Sequence, residues 1–221
     1  FFIGFAILDF FALLLTKFLA SESKQSSKEH TNKSSLGALI TVPAVLAIMG
    51  FALFEAANTS QFSYIERFGM ISNITEHQIG LALLVGSLLG IPGALSIFII
   101  GDKFGLIKPL ALGLLLPIAA LTMLLSSNSY SIYFITSCIL GFSWSFCMPF
   151  IDSLLARIDR KGRVVAAGSS ISFFGSALGP GIAAMVVSGD QYRNSFILAI
   201  GLFLATLLIF MILGKKMREV L

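Results

Sequence analysis

The chain is 221 residues long, 57% hydrophobic and 12% charged, with a mean hydropathy of +0.94. A soluble domain is about 45–50% apolar and about 25% charged. This composition leaves too few polar residues to cover a water-facing globule, which excludes a soluble enzyme, a disordered protein and a nucleic-acid binder. The formal charge of +4 and the pI near 9.2 come from cations set between apolar runs, as membrane loops carry them.

Phe1 to Thr16 is an apolar run with neither the basic start nor the small-residue cleavage site of a signal peptide. Residues 1–19 are therefore expected to be the end of a spanning helix whose beginning is missing. Residues 20–36 (ASESKQSSKEHTNKSSL) are Ser/Lys-rich and free of aromatics, which predicts a flexible cytoplasmic linker. Residues 37–221 then form a six-helix transmembrane bundle, with runs at 37–58, 78–100, 106–125, 131–155, 164–187 and 194–213. Each comes close to the roughly 20 apolar residues that cross a bilayer. Residues 59–77 are expected to be the longest external connection. It holds Thr75-x-x-Gln78, a capping box, and Asn73-Ile74-Thr75, which matches a glycosylation acceptor and is a common chance triplet.

Thirteen of the fifteen Lys and Arg residues fall on alternate connections, and only Arg67 and Arg193 fall on the others. The positive-inside bias predicts that the linker and the C-terminus are cytoplasmic. Cys138 and Cys147 share one run, about 13 Å apart along a helix, too far for a mutual disulfide.

The six runs divide three plus three, and the second of each triplet carries a similar core. These are Leu89-Gly90-Ile91-Pro92-Gly93-Ala94 and Leu178-Gly179-Pro180-Gly181-Ile182-Ala183. By parity the two cross the membrane in opposite senses. Inverted repeats with Gly/Pro-interrupted helices at matching positions point to a secondary transporter. Gly86, Gly90 and Gly93 share one helical face, as do Gly168, Ser172, Gly175 and Gly179, so both second helices can approach a neighbour closely. The fold expected is an all-α membrane protein, a six-helix bundle of two inverted three-helix repeats.

The chain resembles the C-terminal half of a major facilitator superfamily transporter. A polar linker precedes six spans whose ends both lie inside. Gly101-Asp102-Lys103-Phe104-Gly105 is similar to the superfamily's cytoplasmic loop motif. Asp102, Lys103 and Gly105 match it, whereas Phe98 stands for the leading Gly and Leu106 and Ile107 for the trailing basic residues. Gly175-x-x-x-Gly179-Pro180 is similar to an element of drug-efflux members. The resemblance implies half of a twelve-helix transporter working by alternating access, with an N-terminal six-helix half completing a central cavity. It also implies a gating role for the matched loop residues Asp102, Lys103 and Gly105. Arg157 joins them on its own position, five residues after Asp152, where an ion pair could hold the cytoplasmic side closed, and the small-residue spacing assigns helix packing to Gly90, Gly93, Gly175, Gly179 and Pro180.

An ionisable residue inside a span is a functional candidate by default. Glu55 shares a face with Asn58 and Thr59; it is either a substrate or proton site or a carboxylate solvated near the external headgroups. Asp152 shares a face with Ser145 near the inner end of its helix, beside a basic cluster that begins at Arg157. Trp144, the sole tryptophan, lies in mid-span, where it either packs or lines a cavity. These six (Glu55, Asn58, Thr59, Trp144, Ser145 and Asp152) are the candidate substrate or proton ligands. His30 and His77 have no metal-ligand spacing to a partner, and no Gly-rich phosphate loop is present, so no cofactor, metal or ATP engine is expected.

The function expected is ion-coupled, proton-driven secondary transport of a small solute in the bacterial inner membrane, with efflux of hydrophobic or drug-like compounds favoured. Nutrient or metabolite uptake is the alternative, followed by a non-transporting sensor or truncated pseudo-transporter. A lipid-modifying enzyme would need a His- or Asp-rich surface cluster that the sequence lacks.

Overall fold

A computed structural model describes residues 41–101, 103–159, 161–189 and 191–220, with side chains as far as Met217. Residues 1–40, Asp102 and Arg160 lie outside the described residues, so the first run and the linker are not seen. Six helices are described, each long and apolar enough to cross a membrane: α1 (Val42–Ile71), α2 (Glu76–Ile100), α3 (Ile107–Ser126), α4 (Tyr130–Ile158), α5 (Arg163–Val186) and α6 (Arg193–Val220).

Local chemistry sets most of the ends. Pro43 occupies the first turn of α1, where its missing N–H costs nothing. Thr75 and Gln78 form the reciprocal capping box that opens α2, and the Ser129 hydroxyl accepts from the Ile132 N–H to open α4. Gly162 enters α5 with φ +74°, a left-handed conformation that favours glycine.

Helix α1 runs on to Ile71, so the expected 59–77 connection is in fact a four-residue turn, 72–75. Asn73 takes φ +58° in that turn, and Thr75 caps the next helix. The polar run from Asn58 to Arg67 stays helical because much of it faces protein: Asn58, Ser60 and Gln61 are buried among neighbouring helices.

Four helices contain an internal proline and continue through it. Pro117 cannot donate to the Gly113 carbonyl, and the Ser143 hydroxyl of α4 donates to that carbonyl instead. The Thr136 hydroxyl likewise donates to the Ala120 carbonyl at 3.2 Å, stitching α4 to α3 a second time.

Packing follows the three-plus-three division. The first helix of each triplet packs on the second and third helices of the other: α1 on α5 and α6, α4 on α2 and α3. The third helices, α3 and α6, pack on each other. This pattern is unchanged when the triplets are exchanged. Three spans per triplet also reverse the direction of the second, so the bundle is an inverted repeat.

The two kinds of seam differ. The α1–α6 seam is aromatic, with Phe54 edge-on to Phe203 at 6.3 Å and Phe68 edge-on to Phe196 at 5.1 Å. The α2–α4 and α1–α5 seams are built of small residues. A Cβ added at Gly86 would lie 2.5 Å from the Ser137 carbonyl oxygen, and one at Gly179 would lie 2.6 Å from that of Ala56. Such backbone proximity replaces hydrophobic driving force where the solvent is itself apolar. Phe98, Phe173, Phe174 and Met185 stay exposed, at 69–85% of their surface, on the outside of the bundle. That is tolerable against acyl chains and a liability in water.

Candidate functional site

Glu55 lies near the midpoint of the 30-residue α1, not toward its outer end as the shorter expected span implied. It is 8% exposed. The indole N–H of Trp144, on α4, donates to its Oε1 at 3.1 Å, and the Ser176 hydroxyl, on α5, donates to its Oε2 at 2.9 Å. One carboxylate thus joins the first helix of one repeat to two helices of the other. Charge-assisted bonds of this kind are the stronger class, and low polarity around them strengthens them further.

The clasp borders a cavity of about 400 Å³ walled by α1, α2, α4 and α5. Its wall includes Glu55, Asn58, Thr59, Trp144 and Ser145, five of the six residues singled out as ligand candidates. Most of the wall's surface is apolar, with Phe62, Ile65, Leu83, Leu140 and Trp144 in it and Gly86 and Gly141 between them. Such a volume and lining suit a small-molecule site. Trp144 is 44% exposed, so the mid-span tryptophan forms cavity wall rather than buried core.

Several wall residues carry polarity that the sequence did not single out. Gln61 is 3% exposed and its Oε1 has no hydrogen-bond partner among the described residues. Ser87 and Ser176 each follow a glycine of a small-residue face, Gly86 and Gly175. That shared register is the one signal by which Ser176 was findable. Asn58 and Thr59 donate to the Phe54 and Glu55 carbonyls at 2.8 and 2.9 Å, so their donors are turned back onto α1.

Asp152 stands apart from this cavity, on an exposed face of α4. Lys103 is exposed, and Gly101 and Gly105 take φ +48° and +69° in the turn between α2 and α3. A second cavity, of about 380 Å³, sets Gly101 and Leu106 of this turn against Ser153, Ala156 and Arg157 of α4. The gating-loop candidates Gly105 and Lys103 therefore sit at the same end of the bundle as Arg157.

In the next loop Asp159, which the sequence reading passed over, is the acidic partner of Arg163, with Nε–Oδ2 2.9 Å. Its carboxylate also accepts the Lys161 and Arg163 backbone N–H groups at 3.2 and 3.0 Å. The Arg163 side-chain hydrogen bond leads these contacts in holding the Asp159 carboxyl down at about 2, against the opposing effect of burial. Gly90 and Gly93 press on Ser145 and Phe142 of α4, Gly175 and Gly179 on Ala52 and Thr59 of α1, and Pro180 is half-buried beside them. Among the described residues, no three His, Cys, Asp or Glu side chains come together as a metal cage.

A sequence model of the Major Facilitator Superfamily matches residues 71–219, which take in α2 through α5 and nearly all of α6. The helix that bears Glu55 lies just before the matched stretch. No curated protein matches the chain. Six apolar helices in an inverted-repeat bundle, together with this match, make the chain a multi-pass membrane transporter that belongs to the Major Facilitator Superfamily.

Proposed function

We propose that the chain performs secondary active transport by alternating access, with Glu55 carrying the coupling proton. The observation that carries this reading is a mid-helix carboxylate in a cavity, held by donors from two helices of the opposite repeat. A proton arriving at Glu55 removes the charge that Trp144 and Ser176 stabilise, loosening α1 from α4 and α5. Substrate and proton state can thereby bias how the two repeats sit against each other. The small-residue seams, where few bulky side chains interlock, are where such a shift is cheapest.

The cargo is a small, largely apolar molecule, and efflux of hydrophobic or drug-like compounds fits the apolar wall better than uptake of a polar nutrient. The path is completed by an N-terminal six-helix half. The basic loops lie on the cytoplasmic side of a bacterial inner membrane, where the turn from Gly101 to Gly105, with Asp102 in it, and Arg157 form the inner gate.

The test is transport by the full-length transporter in proteoliposomes, screened with hydrophobic compounds across an imposed proton gradient. Wild type should accumulate at least one compound against its gradient. Glu55→Gln should lose gradient-driven accumulation by at least tenfold yet keep downhill exchange. Equal coupled transport by Glu55→Gln would remove the proton-carrier role.

A further inference from the structure

From the charge and donor inventory of the cavity we infer that its ligand is a lipophilic ammonium, a protonated amine on an apolar body. The inference rests on the transport reading above and names the cargo class for the same site. Glu55 is the sole ionisable side chain among the described residues that line the cavity; α2, α4 and α5 face it with none. No Lys, Arg or His lies in the wall to balance it.

Many of the wall's donors are committed. Asn58, Thr59, Ser87 and Ser137 donate to main-chain carbonyls, and Trp144 and Ser176 donate to Glu55 itself. A carboxylate offers about four lone-pair sites, of which two are used here, so Glu55 can still accept from a ligand that supplies N–H groups.

An anion would meet an uncompensated like charge, and a neutral molecule would leave the Glu55 charge unanswered. A cation answers both the charge and the spare lone pairs. The Trp144 ring, part of the wall and 44% exposed, together with Phe62, offers the aromatic surface that favours a cation and packs its apolar body.

The test uses the full-length transporter in lipid nanodiscs, with equilibrium dialysis as the readout, and three probes with one body: 4-phenylbutylamine, 4-phenylbutanol and 4-phenylbutanoate. Empty nanodiscs correct for partitioning into lipid. The amine should bind saturably and at least tenfold more tightly than the alcohol or the carboxylate. Glu55→Gln should bring the three within about threefold of one another, whereas Ser176→Ala, which keeps the carboxylate, should retain the preference.

The wild-type preference for the amine over the alcohol needs no variant and so decides even if Glu55→Gln fails to fold. Tighter or equal binding of the alcohol or carboxylate, or no saturable binding by any probe, would overturn the inference. Each of these leaves proton-driven transport of another cargo intact, so failure here is distinct from failure of the transport test.

Discussion

Glu55 and Asp159 are both carboxylates that bind two partners, and their surroundings give them different work. Glu55 sits in a cavity where no cation among the described residues answers its charge. Asp159 sits in a loop and is answered at once by Arg163 and by the N–H groups at the start of α5. Its role is to fasten the α4–α5 turn and to place negative charge at a helix N-terminus. Its folded pKa, about 2, lies below the roughly 3.9 of an unfolded aspartate. Asp159→Asn should therefore lower the melting temperature at neutral pH. The deficit should be fully present above about pH 4 and vanish as the pH falls through about 2, because the stabilisation is lost as the native carboxylate protonates. Thermal melts of both proteins in detergent across that range check it; a difference that persists at the acid end would point to shape rather than charge. Asp152 attracted notice in the sequence because it shares a helix with the basic cluster. Arg163 instead takes the acid four residues before it, at the helix cap.

The helices themselves could be read from apolar runs, and the caps at Thr75 and Ser129 follow from residue chemistry. The outer half of α1 could not, because Ser60, Gln61 and Glu66 look like loop until their neighbours are known. The clasp was hidden for the same reason: Trp144 lies 89 residues and Ser176 121 residues from Glu55, and nothing local pairs them. Small-residue faces were visible as a pattern, and the structure adds what each one touches. That gives a contrast within five residues of α5. A methyl at Gly179 would meet the Thr59 hydroxyl and the Ala56 carbonyl, whereas one at Gly181 meets nothing within 4 Å. Gly179→Ala should destabilise the bundle by about 1–3 kcal/mol through overpacking. Gly181→Ala should be neutral or stabilise it by up to roughly 1 kcal/mol, since alanine is the better helix former. Thermal unfolding of the two variants side by side checks the sign; equal effects would move α5 off α1.

At the scale of the bundle, two inverted triplets share a cavity between α1, α2, α4 and α5, while α3 and α6 pack together behind. The orientation drawn from basic loops is open to direct labelling. A cysteine at Gly162 should react with an impermeant thiol reagent only from the cytoplasm and one at Ser72 only from outside; reaction from one common side would break the six-span order. The deeper claim is that the Glu55 cavity opens to each side in turn. Ser87 lines that cavity and is exposed within it. The most direct measurement is the labelling of Ser87→Cys, with Cys138 and Cys147 replaced, by an impermeant maleimide applied from each face of oriented membrane vesicles under opposite proton gradients. Alternating access predicts labelling from both faces, with reversal of the gradient shifting the ratio severalfold and Glu55→Gln abolishing that shift. Labelling from one face alone, whatever the gradient, would contradict it.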